Sequence, residues 1–375
     1  MIKLGVMNYK LVSFLIILSL ASNSCKKDDK PIPFISIACG AYHSLAIKAD
    51  GSLWAWGSNS HGQFGIETED SKNCNPVVIG SDYSMIAAGD VFTLALKKDG
   101  TLWAFGSNEF GQLGVTKSLT DNIQPEMVGK DYALIACGAD HALAIKKDGT
   151  LWAWGSNERG QLGDGTNINR STPVLIGKGF ATISAGLYHS MAIKTDGSLW
   201  TWGRNDTGQL GDGTLDDRNT PVLIGYDFLT SEAGFLHSLA IKTDLTLWAW
   251  GSSYFGELGD GSTLFNHDYV KSPEFIGTNF TIVSTGSSHT LAIMTDGSLW
   301  AWGSNSNHQL GIGELGCQNR PVKIGSDYSQ IAGGFFHSVA LKSDGSVWAW
   351  GVNSLGQVGD GSCTDKDTPI RIGPN

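Results

Sequence analysis

Six histidines in this chain, His43, His141, His189, His237, His289 and His337, each close the same four-residue string, Gly-x-x-His. Imidazoles repeated in one register could converge on a metal ion. A seventh string ends in Phe92 instead, with no evident compensation, so a ring nitrogen that satisfies backbone groups of the turn is the better reading. The Asp-Gly-Ser/Thr strings at Asp164, Asp212, Asp260 and Asp360 hint at calcium. They lack the clustered alternating aspartates of a calcium loop, and turn chemistry explains them better. Glu232, Asp90 and Asp140 are the only acid constellation that can be assembled, and no nucleophile–base motif accompanies it. No catalytic residue, metal ligand or cofactor site is assigned.

What positions these residues is a repeat. Aligned on the turns at Asp50, Asp99, Asp148, Asp196, Asp244, Asp296 and Asp344, the chain falls into seven units of 48–52 residues. Each unit carries Leu/Val-Trp-x-aromatic-Gly, with rings two residues apart on one face of a strand. The fourteen aromatic slots take all 13 tryptophans plus Phe105, so no tryptophan is left for a private role. Within a unit, four short strands alternate with an Asp-Gly hairpin and a Gly-Gln-Leu-Gly loop. Four strands per unit, repeated radially, predict an all-β, seven-bladed β-propeller of four-stranded antiparallel blades over residues 34–375. Leu245 stands where the other turns have glycine, which predicts a strained or reshaped turn in the fifth blade.

Composition agrees with a large globular fold: 41% of residues are hydrophobic and 17% charged. The net charge of −10 lacks the basic footprint of a nucleic-acid binder. Residues 1–24 read as an export signal, with Lys3 and Lys10 before the short apolar run Leu11–Leu20. Ten apolar residues are too few to span a bilayer. Ser24-Cys25 resembles a bacterial lipobox, departing from it at Ser22 and Asn23, and implies acylation of Cys25. Residues 25–33 then form a polar tether. Lys26 after the cysteine resembles an outer-membrane sorting signal, and Asp28-Asp29 a surface-export one. The expectation is an outer-membrane or cell-surface lipoprotein, held by its lipid alone, with a periplasmic or secreted protein as the alternative.

The string G-x-x-H-S-L-A-I-K-x-D-G-S-L-W-A-W-G, followed by G-Q-L-G, resembles the regulator of chromosome condensation repeat over about residues 34–373. The resemblance implies a closed seven-bladed ring in which one blade mixes N- and C-terminal strands, here Phe34–Cys39 and residues 369–372. It also implies a protein-binding platform. Guanine-nucleotide exchange is argued against, because that activity's wedge is a blade insertion. The expansion here is about four residues, near Leu264–Tyr269.

Function should break the repeat's symmetry. In an up-and-down blade the Gly-x-x-His turn and the Gly-Gln-Leu-Gly loop share a face, the former nearer the central mouth. The variable turn positions include Tyr42, Asp90, Asp140, Tyr188, Phe235, Phe335 and Phe336, an unusual composition for turns. Phe110, Tyr254 and Phe255 extend the set on the outer loop. These ten residues predict a patch for a protein partner, with the chain itself monomeric. Glycan binding is the second reading and a lyase- or hydrolase-type propeller the third. Glu232 is the only charge in its slot on the innermost strand. Among the cysteines, Cys74, Cys317 and Cys363 lie in loops of neighbouring units, so Cys363 could pair with either of the others.

Overall fold

The computed structural model describes residues 32–116, 121–262 and 269–373. The export signal, Cys25 and most of the tether lie outside the described residues, as does most of the fifth-blade expansion. Twenty-eight strands form seven sheets of four, each strand antiparallel to its neighbours in chain order. The first blade is β1 (Phe34–Cys39), β2 (His43–Lys48), β3 (Leu53–Ser58) and β4 (Lys72–Gly80). The other blades repeat this order over residues 83–129, 132–178, 180–225, 228–277, 280–325 and 328–372.

Burial follows position in the blade. The second strands, His-Ser-Leu-Ala-Ile-Lys in the first blade, are buried along their length except for the closing lysine or methionine. The small-residue first strands line the central channel, and the fourth strands face solvent. Each hairpin is a three-residue loop rather than the tight two-residue turn that Asp-Gly most often signals. Gly51 N–H donates to the Lys48 carbonyl at 2.8 Å, and the glycine takes positive φ. The Asp50 carboxylate accepts from Ser52 N–H at 2.8 Å, and the Ser52 side chain first and this N–H second hold it below the usual carboxylate range. Leu245 keeps this turn unaltered, at φ 65°, with the Asp244–Thr246 bonds in place. That turn is strained and not reshaped.

The blades are joined by one repeated device. Each histidine's Nε2 reaches a serine or threonine hydroxyl of the next blade, as in His189–Ser238 at 2.8 Å and His141–Ser190 at 2.9 Å. That hydroxyl donates to the carbonyl of the loop glutamine on the histidine's own blade or its equivalent (Ser238 to Gln209, 2.7 Å), so the ring donates from Nε2. The same carbonyl accepts the second tryptophan's indole N–H, Trp250 to Gln209 at 2.9 Å. The histidines therefore bond the next blade rather than their own turns. Burial alone pushes His43 down to about 3, so the rings stay neutral. Phe92 is compensated after all. Its partner slot in the next blade holds Ala142, and the two share one apolar cluster. A ring and a hydroxyl were exchanged together for a ring and a methyl.

No blade mixes chain ends: β1 sits in the first blade and Lys366–Ile372 in the last. The ring closes through side chains instead. Trp56, Val339, Leu341 and Ile372 share a cluster across the closing interface. His337 bonds Ser44 at 2.9 Å, and Trp56 donates to the Gln357 carbonyl at 2.9 Å. Cys74 and Cys363 form a disulfide that ties the first blade to the last, while Cys317 is a free thiol.

Candidate binding site at the channel mouth

The Gly-x-x-His turns meet around one end of the channel and are laced by backbone bonds. Phe335 N–H donates to Ala41, Ala41 to Asp90, Asp90 to Ala139 and Leu187 to Gly234, at 3.1–3.2 Å. The glycine is required because the histidine ring sits on it: a Cβ at Gly40 would come within 2.2 Å of His43 Cε1. The outer loop joins the same face, since Ser156 N–H donates to the Asp140 carbonyl at 2.8 Å and Arg204 N–H to Tyr188 at 2.8 Å.

The variable positions then separate into two arcs. In one, Phe335 stacks on Tyr42 with centroids 5.8 Å apart and meets Phe235 edge-on at 5.4 Å and Phe336 at 4.6 Å. Four rings from the first, fifth and seventh blades thus bridge above Ser287, whose hydroxyl donates to the Phe335 carbonyl at 2.6 Å. These rings are partly buried on one another rather than standing free. The other arc is acidic. Burial first, and then the Asp140 charge, lift the Asp90 carboxyl to about 7; burial and then Glu109 lift Asp140 to about 6. Gln112 Nε2 donates to Asp140 at 3.4 Å. Tyr188 borders this arc, its phenol raised by burial and by both aspartates. Arg204 lies 5.9 Å from the Tyr188 ring but is held in a two-point ion pair by Asp206 at 2.7 Å. Among the described residues Phe110 joins none of the ring pairs, and Tyr254 and Phe255 form an edge-on pair at 4.8 Å on the fifth blade.

The channel holds an open cavity of about 320 Å³ that reaches from the turns down to alanine, serine, cysteine and isoleucine of the first strands. Glu232 is on its wall, accepts a bond from the Ser184 hydroxyl at 3.3 Å, and is lifted by burial to about 7. The sequence reading missed Glu257. It fills the slot that holds glutamine in the other six loops, accepts from Phe255 N–H at 2.8 Å, is 4% exposed, and is pushed by burial to about 7. The signal was visible as Gly-Glu-Leu-Gly among Gly-Gln-Leu-Gly strings. The loop aspartates are occupied by their own loops: Asp164 binds Thr166 and the Arg170 guanidinium, and Asp212 binds Thr214 and Arg218.

A closed ring of seven four-stranded blades, latched by histidine and bearing a variable mouth, defines a repeat propeller whose repeated chemistry is architectural. The chain belongs to the RCC1-like domain family, whose pattern matches residues 20–276; the regulator of chromosome condensation (RCC1) repeat matches 280–309, 328–357 and segments within 296–375. Human WBSCR16 has a similar fold, with TM-score 0.76 and 22% identity over 84% of this chain and 87% of that one. Prp20p of Saccharomyces cerevisiae, studied for its binding to Gsp1p and histones, gives 0.78 and 21% over 88% of each chain. A probable E3 ubiquitin-protein ligase of Homo sapiens, HERC6, is 35% identical over 74 residues, 20% of this chain and 7% of that protein.

Proposed function

We propose that this protein is a non-enzymatic binding platform that holds a protein partner at the channel mouth. The reading is carried by one observation: variable residues of the Gly-x-x-His turns gather on one rim laced by backbone bonds, as an aromatic arc beside a carboxylate arc. Anchors of this kind, presented on a backbone that need not reorganise, suit a protein surface. A glycan would need open ring faces, whereas Phe335 is engaged by Tyr42, Phe235 and Phe336. We further propose residence at the cell envelope through acylated Cys25, which the run Leu11–Leu20 and Ser24-Cys25 support. Capture of partners from envelope extracts, with wild type against a Tyr188→Ala/Phe235→Ala/Phe336→Ala variant, tests the mouth. Loss of specific capture with an unchanged unfolding midpoint is expected; equal capture overturns the reading. Palmitate labelling should disappear in Cys25→Ser.

A further inference from the structure

The cavity beneath the mouth is polar in an unbalanced way. Of the residues lining it, only Asp90 and Glu232 are charged, and none is basic. Among the described residues no donor reaches the Asp90 carboxylate, and Glu232 has only the Ser184 hydroxyl. Arg204, beside Tyr188, is already paired with Asp206. Neither carboxylate serves the fold. The other units manage with alanine or serine in the Glu232 slot, and with alanine, leucine, phenylalanine or serine in that of Asp90. Carboxylates drawn partly out of water without a counter-charge are destabilising. Two of them on the wall of one cavity point to a ligand that brings the charge.

We propose that the central cavity receives one cationic side chain, lysine or arginine, from the protein bound at the mouth, with its charge neutralised by Asp90 and Glu232. This rests on the reading of the mouth as a protein-binding surface. The alkyl stem would pass Leu187, Phe235 and Phe335, which line the cavity at the level of the turns. Small side chains below them leave room for the head group, and a cation there meets the oxygens of two partly buried carboxylates. A bound metal ion fits less well, because no three potential ligands cluster among the described residues.

The test is a calorimetric and NMR titration of the intact protein at pH 7 with butylguanidinium, butylammonium and the neutral isostere butylurea. The cations should bind with Kd of about 1 mM, the range open to a fragment of this size. Butylurea should bind at least about tenfold more weakly, and Glu232→Gln and Asp90→Asn should each weaken the cations by a similar factor. Glu67→Gln, an exposed loop carboxylate, is the control and should change nothing. Near-UV circular dichroism of the buried tryptophans verifies that each variant is folded. Absence of saturable cation binding, equal binding of butylurea, or unchanged affinity in both carboxylate variants overturns the inference. The two readings fail separately: capture that survives the aromatic variant sinks the mouth as an interface, whereas a silent titration with capture lost in that variant sinks only the cation pocket.

Discussion

Phe92 and Phe105 of the second blade and three residues of the fifth depart from the repeat in opposite ways, and Asp90, although it lies in the second blade, belongs with the uncompensated set. In the second blade, Phe92 replaces histidine and Phe105 replaces tryptophan. Both changes are apolar, and the first is matched across the interface by Ala142. Thr93 still donates to the Gln63 carbonyl at 2.8 Å and still meets His43 at 3.1 Å. In the fifth blade the departures are unmatched: Leu245 at positive φ, Glu257 in an amide's place, and Glu232 facing the channel. Exchange of a buried bonded pair for an apolar pair of similar shape is nearly neutral, whereas an uncompensated polar or backbone change carries its full penalty. Exceptions to a repeat therefore need sorting. A compensated one reports drift in architecture, and an uncompensated one reports a demand from outside the fold.

The largest effect that probes this contrast is on the latches as a set. Their histidines are lowered by burial, to about 3 for His43, His141, His189, His289 and His337 and about 4 for His237. The unfolded chain takes up these protons first, so stability is lost as pH falls from about 6.5 toward 3. The loss should reach on the order of 2 kcal/mol per histidine at pH 5. The raised carboxylates act oppositely, and their opposition should be the smaller because fewer groups contribute. The urea midpoint should therefore drop between pH 7 and pH 5. The second blade contributes no such group, and Phe92→His would create one without a partner. That variant should lose about 3 kcal/mol, and Phe92→His with Ala142→Ser should recover most of it by restoring the hydroxyl. A double variant no better than the single would break the compensation argument.

In the fifth blade the sign reverses. Glu257→Gln should stabilise by on the order of 3 kcal/mol at pH 8. The native carboxyl titrates near 7 and the unfolded one near 4.5, so wild type carries the penalty above 7 and sheds it as pH falls. The advantage of the variant should vanish by about pH 4, and a gain independent of pH would refute this account. Leu245→Gly should add about 1 kcal/mol by relieving a left-handed residue, seen as a higher thermal midpoint.

Much of the molecule was readable from residue order. Period, turn chemistry and tryptophan spacing determine seven units and four strands each, because these are local steric rules repeated often enough to exclude competitors. The same repetition told which residues belong to the fold. The way the ring shuts was not readable, and the expected mixed blade is absent. Closure is a contact between positions about three hundred residues apart, and nothing local distinguishes a shared strand from side-chain packing sealed by Cys74–Cys363. Nor could the pairing of Phe92 with Ala142 be seen along the chain, since it appears only once histidine is known to reach the following blade. The seven variable turn residues could be named from sequence, but their division into a self-packed aromatic arc and an acidic one without a counter-charge depends on which turns face each other across the ring. Sequence thus determined the blades, whose bonds are short-range. Tertiary structure alone decided which carboxylates would face the channel without a counter-charge.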